Sequence, residues 1–192
     1  MQAEIDISNV VLRTERLTLR PWRMTDDRDL FEYAKVDGVG QMAGWIPHKD
    51  ILESREILIG FIEGKKTFAL EYEGKVIGSL GIELYDQKHH PEFDDKVCRE
   101  IGYVLSKDYW GRGLMPEAVK EVMRYLFLDV GLDIIFCGRF MWNEQSGRVQ
   151  QKCGFRHYCY EDYTTRSGKV EYSEYTLITR EEWMEDHCEE DR

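Results

Sequence analysis

The chain has 192 residues, the length of about one domain, and 42% of them are apolar, enough for a single core. Its formal net charge of −11 disfavours direct nucleic-acid binding, which needs lysine and arginine against phosphates; it suits cationic partners or a surface that only confers solubility. No apolar run approaches the ~20 residues of a membrane span, so no membrane partner is expected.

Residues 1–10 lack the basic and apolar parts of a signal peptide, which sets the expectation of a cytoplasmic protein. They read as an N-terminal extension to one domain over residues 11–184, followed by an acidic C-terminal tail over 185–192. Residues 16–22 alternate apolar and polar side chains and predict a first strand closed by Pro21. Thr25 predicts a helix cap, with Asp26, Asp27 and Asp29 in the positive first turn. A loop with Gly38, Gly40, Gly44 and Pro47 follows, and Trp45 within it reads as a packing anchor.

Asp50 and Glu53 have capping-box spacing ahead of Ile51, Leu58, Phe61 and Ile62, a second helix ending at Gly64. Two apolar runs, 67–72 and 76–84, flank Glu73-Gly74 and predict a hairpin. Residues 86–96, including His89-His90-Pro91, read as a polar, solvated connection. No carboxylate or cysteine stands at metal-ligand spacing from the histidine pair, so no metal is expected.

A buried strand over 97–105 leads into Trp110-Gly111-Arg112-Gly113-Leu114-Met115 and a helix expected from Pro116 to a stop at Gly131. Two glycines allow a sharp turn and a close backbone approach, and a helix start carries about half a positive charge with several unpaired amides. Strand, glycine turn and helix together make an anion site best matched to a phosphate. A dinucleotide fingerprint would need a third glycine where Pro116 stands, and an NTPase loop would need Gly-Lys-Ser/Thr where Gly113-Leu114-Met115 stands, so neither nucleotide reading fits.

Residues 134–137 form a buried strand run, which after strand and helix implies a right-handed crossover to a parallel neighbour. Asn143 caps a further helix that Gly154 ends, residues 155–160 form a strand, and 166–169 turn the chain into a last strand over 171–178. Thr179 with Glu182 caps a short terminal helix. The five cysteines form no Cys-x-x-Cys pair and are expected to be reduced thiols.

The turn at 110–115 resembles the acetyl-coenzyme A site of the GNAT acetyltransferases, whose pattern is Gln/Arg-x-x-Gly-x-Gly/Ala. Trp110 and Met115 depart from it in the manner of the branch that includes ribosomal-protein and spermidine N-acetyltransferases. Asn143-Glu144-Gln145-Ser146 followed by Lys152-Cys153-Gly154-Phe155 resembles that branch's second signature. The resemblance implies a single α/β (α+β) domain: a central mixed, mostly antiparallel sheet of about seven strands, the fourth and fifth splayed apart, flanked by about four helices. It also implies acetyl-coenzyme A as cosubstrate, held by Val104, Leu105, Trp110, Gly111, Arg112, Gly113, Leu114, Met115 and Asn143. The pantetheine arm would pair with freed backbone groups near Val104 and Leu105.

Attack on a thioester needs a neutral amine, so a carboxylate on a central strand is the expected base, Glu100 first and Glu83 second. The resemblance assigns protonation of the departing thiolate to Ser146, with Tyr103 and Tyr158 in reserve. The expected partner is an amine acceptor, a protein N-terminus ahead of a polyamine or aminoglycoside. A non-catalytic acyl-coenzyme A sensor is the alternative of another class. The resemblance is compatible with a homodimer and leaves oligomeric state open.

Overall fold

In the computed structural model, which describes residues 1–188, eight strands form one sheet in the order β1-β2-β3-β4-β5-β6-β8-β7. They are β1 (Leu12–Arg13), β2 (Leu17–Pro21), β3 (Thr67–Tyr72), β4 (Lys75–Glu83), β5 (Cys98–Leu105), β6 (Ile134–Phe140), β7 (Arg156–Thr164) and β8 (Val170–Thr179). Five helices accompany them: α1 (Asp27–Ala34), α2 (Ile51–Gly64), α3 (Leu114–Tyr125), α4 (Glu144–Lys152) and α5 (Arg180–Cys188). Among the named strands β5 and β6 pair in parallel, and the other neighbours are antiparallel. The strand beyond the expected seven is β1, a two-residue piece too short to show an alternation.

Side-chain alternation divides the core. Phe68 and Leu70 of β3 join Ile101, Ile135 and the α3 residues Ala118, Val119, Val122 and Met123 in one cluster. Ala69 between them packs into a second cluster with Leu30, Tyr33 and Ala34 of α1 and Leu58 of α2. The two faces of the sheet thus carry different helices, and the strand period of two decides which residue serves which. Among the described residues no helix is long and apolar enough to cross a membrane.

Several boundaries differ from the sequence reading. Thr25 lies inside a short 3-10 turn, Met24–Asp26, and does not cap α1. Arg20 is almost fully buried, and Asp26 accepts both of its terminal nitrogens at 2.8 and 3.0 Å, so the helix begins only after this counterion. Helix α3 starts at Leu114, two residues before Pro116, because Gly113 in the left-handed region already acts as its N-cap. Residues 185–188 continue α5, while 189–192 of the expected tail lie outside the described residues. At the other end Gln2 bridges Cys98, and Ile7 is buried in the main core.

The expectation of a solvated histidine pair is corrected. His89 is exposed and paired with Asp86, whereas His90 is buried and stacks on Tyr175 and Phe136 with ring planes within 16°. Pro91 opens a 3-10 turn, Pro91–Phe93, that carries Phe93 onto Phe136 and draws His90 under the connection.

Candidate active site

The parallel ladder between β5 and β6 is short. It joins Cys98 to Ile134, Arg99 to Ile135 and Glu100 to Phe136, and then stops. Beyond that point β5 stays with β4 as far as Leu105 opposite Gly78, and β6 stays with β8 as far as Phe140 opposite Ser173. A wedge therefore opens between the two central strands. Ser106 N donates to Ile77 O at 2.7 Å, so antiparallel alternation turns the amide groups of Val104 toward β4 and those of Tyr103 and Leu105 toward the wedge. The Leu105 carbonyl accepts from the Trp110 indole at 2.8 Å. Tyr103 and the Leu105 amide are left as the groups that an extended ligand can pair with.

The wedge is part of a cleft of about 560 Å³ that reaches from the glycine turn to the far side of the sheet. At its near end Gly111 and Gly113 both have φ of +76°, a region that side chains strain to enter. A Cβ on Gly111 would meet nothing within 4 Å, so the turn presents bare backbone to the cleft it lines. The first amides of α3 have no intrahelical acceptor, and Pro116 supplies none, so Leu114 and Met115 offer the donors at the helix start. Trp110 is a brace for the turn: its ring packs in the second core cluster, and Lys107 lies over it at 5.8 Å.

Two guanidinium groups stand at this turn. Arg112 donates to Asp108 O at 3.0 Å and lies over the Tyr109 ring at 5.0 Å. Arg16, from the loop before β2, donates to Arg112 O at 3.0 Å and pairs with Glu117 at 2.6 Å. Sequence reasoning had no means of finding Arg16, because 96 residues separate it from the turn it braces.

On the α3 and α4 side of the wedge Asn143 caps α4, its Oδ1 accepting from Ser146 N at 3.1 Å while Nδ2 donates to Met42 O at 3.2 Å. Ser146 thus contributes its backbone amide to the cap and keeps its hydroxyl for other work. That hydroxyl lies 3.0 Å from Tyr103 Oη and accepts from Gln150 Nε2 at 3.3 Å. Gln150, also missed from sequence, is buried and reaches Gly138 O and Cys137 Sγ, with its Oε1 accepting from Thr176. Burial holds the Tyr103 phenol well above its usual range, so this network keeps its protons at neutral pH.

On the opposite side of the wedge, Glu100 is half-buried and its Oε2 accepts from Tyr175 Oη at 2.5 Å. Burial raises its pKa to about 7; the Tyr175 hydrogen bond opposes the shift, and the carboxylates of Glu161, Glu83 and Asp86 add to it. A carboxyl poised at that value can accept a proton at physiological pH. Glu83 sits directly across β4 from Glu100, but it forms an ion pair with Lys66 and leans toward β3. Tyr158, the reserve acid, lies instead in the aromatic cluster with His90 and Phe93.

The outer wall is the loop over 38–47. Its Trp45 ring lies against Gly40, where any Cβ would collide with it, so Trp45 is the packing anchor the sequence suggested. Val39, Met42 and Ala43 face the cleft from this loop. Gly44 O accepts from Arg166 N at 3.0 Å, which ties the loop to the β7–β8 turn.

The acetyltransferase (GNAT) domain family matches residues 16–156. An uncharacterized N-acetyltransferase, p20 of Bacillus licheniformis, is 26% identical over 179 residues, 88% of this chain and 97% of that protein. The FsC-acetyl coenzyme A-N(2)-transacetylase of Aspergillus fumigatus is 34% identical over 130 residues, 64% of this chain and 54% of its own length. The crystal structure of a GNAT-family acetyltransferase from Bacillus anthracis has the same fold, with a TM-score of 0.77, 22% identity, and coverage of 90% of this chain and 99% of that one.

Proposed function

The chain belongs to the GNAT family and is an N-acetyltransferase that uses acetyl-coenzyme A, and on that premise we propose that it acetylates a protein N-terminal amine by direct attack, with Glu100 as base. The observation that carries this reading is Glu100 with a pKa of about 7 at the acceptor end of the cleft. An α-amine has a reference pKa of about 7.7–8.0, within about one unit of that carboxyl, and neutralising it at pH 7 costs about 1–1.4 kcal/mol. A lysine-like amine near 10.4 would cost about 4.6 kcal/mol and outmatch the base by more than three units.

In the proposed reaction the glycine turn and the start of α3 hold the pyrophosphate, and the pantetheine arm lies in the wedge beside Tyr103 and Leu105. Glu100 takes a proton from the acceptor ammonium. The neutral nitrogen attacks the thioester carbonyl, the carbon–sulfur bond breaks, the thiolate receives a proton from the Ser146 hydroxyl, and the proton that the nitrogen sheds on becoming an amide returns to the Ser146 oxygen, which Tyr103 and Gln150 hold in place. Asn143 supports this arrangement by fixing the start of α4 and by tying it to the outer loop. Free thiols at Cys98, Cys137, Cys153 and Cys159 fit the reducing cytosol that the reading assumes.

A second reading, a small polycationic acceptor such as a polyamine or aminoglycoside, is favoured by the carboxylates of Glu83, Asp86, Glu100 and Glu161 around the same end of the cleft. Thiol release from acetyl-coenzyme A with a panel of peptides and polyamines separates the two by kcat/KM. A binding-only sensor would take up the cofactor and release no thiol above hydrolysis, which would end both readings.

A further inference from the structure

One buried polar group has no function in the transfer chemistry. His90 is 5% exposed, and its Nε2 has no hydrogen-bond partner. Its other ring nitrogen, Nδ1, lies 3.3 Å from Tyr158 Oη, and the single proton of that hydroxyl goes to the Glu92 carboxylate. Tyr158 oxygen is therefore the acceptor and Nδ1 carries the imidazole proton, which leaves a lone pair on Nε2. That lone pair faces Glu161 Oε2 at 3.4 Å, so a buried imidazole nitrogen opposes an electron-rich atom of a partly exposed carboxylate. Such a pair calls for a cation between them.

The fold brings a third donor to the same place. Cys159 Sγ, a ring nitrogen of His90 and a Glu161 oxygen all lie within 4.8 Å of one another. Cys159 and Glu161 are two residues apart on β7 and pair with Tyr175 and Ser173 of β8, so they share a face. The register shift between His157 and Cys159 turns Tyr158 to that face as well, where it orients the histidine. Tetrahedral zinc with nitrogen, oxygen and sulfur ligands sets its donors roughly 3.4–3.7 Å apart, a contraction that side-chain rotation supplies. Behind the ring the Glu92 carboxylate accepts from Tyr158 and the Tyr158 oxygen accepts from His90 Nδ1, so the histidine's other nitrogen has the acceptor that a metal-ligating histidine uses to fix its ring.

We propose that His90, Cys159 and Glu161 bind one divalent cation of the zinc class, with a fourth position left for water or for a donor atom of a bound acceptor. Glu161 also lines the acceptor end of the cleft, so the cation would neutralise one of the carboxylates beside Glu100. Binding replaces the Cys159 S–H bond with a sulfur–metal bond and releases one proton; His90 and Glu161 give up none.

The test is titration of the metal-free full-length protein with Zn²⁺ by calorimetry in buffers of different ionisation enthalpy, alongside Co²⁺ monitored by absorption. One Zn²⁺ per chain, about one proton released and a thiolate-to-cobalt charge-transfer band are expected. Cys159→Ser should abolish the band, and Glu161→Gln should weaken Zn²⁺ binding by about tenfold or more with the band retained. Circular dichroism melts establish that both variants are folded, and Glu161→Gln, partly exposed, stands in if Cys159→Ser is not. Absence of stoichiometric binding, or binding that both substitutions leave unchanged, overturns the proposal; the second result would place the ion elsewhere, as at His89 and Asp86.

Discussion

Tyr175 on β8 donates its phenolic proton to Glu100 on β5 at 2.5 Å, although β6 lies between their strands. The contact passes over Gly138 of β6, where a side chain would meet both Tyr175 and Glu100. It holds the carboxylate at the far side of the wedge and opposes the upward pKa shift that burial imposes on it. Tyr175→Phe removes that opposition. The acid limb of kcat/KM should move to higher pH while the chain stays folded, and a limb that does not move would exclude Glu100 as the titrating group.

The same carboxyl links pH to stability. Its folded-state pKa, about 7, is raised above the ordinary 4.5, so the folded chain binds more protons than the unfolded one between those values. The associated stability is present below pH 4.5 and is lost as pH rises through 7. Glu100→Gln abolishes this dependence and should gain on the parent by up to about 3 kcal/mol at pH 8 relative to pH 4.5. Denaturant melts at the two pH values check the sign, and an equal change in parent and variant would contradict it.

At the glycine turn, the proposed phosphate site, Gly111→Ala adds a methyl to backbone that lines the cleft and forces a side chain into the left-handed region. Stability should fall by about 1–2 kcal/mol and coenzyme A affinity by about tenfold or more. Gly113→Val should cost more in stability, since Gly113 is the N-cap of α3 and also lies 3.6 Å from Arg16 through its would-be Cβ. Calorimetry with coenzyme A on the folded variant decides; unchanged affinity at Gly111→Ala would move the site.

Ser146→Ala and Asn143→Ala should separate. The hydroxyl of Ser146 is not part of the α4 cap, so its loss should lower the single-turnover rate across the pH range with little change in melting or in acetyl-coenzyme A affinity. Asn143→Ala removes the cap acceptor and the tie to Met42, and should cost about 0.5–2 kcal/mol of stability. A Ser146→Ala enzyme that reacts at the parental rate would remove Ser146 from the chemistry.

The local elements of this fold are legible in the chain because their causes are local. Glu73 and Gly74 both adopt positive φ as the two-residue hairpin requires, and Asp50 caps α2 through the amides of Leu52 and Glu53. The glycine turn suggests an anion site only together with the strand before it and the helix after it, and all three can be read locally because the donors in question are backbone groups. What stayed hidden depends on partners distant in sequence. Arg20 draws Asp26 out of the expected first turn of α1, Arg16 reaches the glycine turn, and Tyr175 reaches Glu100 across 75 residues. His90 looks solvated in a polar stretch until β7 and β8 bring Phe136, Tyr158 and Tyr175 around it.

The central claim, that Glu100 prepares an α-amine for acetyl transfer, is met most directly by pre-steady-state thiol release from acetyl-coenzyme A with a peptide acceptor, followed from pH 6 to 9.5 in the parent and in Glu100→Gln. The account predicts a parental rate that rises through pH 7, a variant about 10²–10⁴-fold slower near neutrality, and a gap that narrows above pH 9, where the amine is already neutral. Superimposable pH–rate profiles for the two proteins would contradict it.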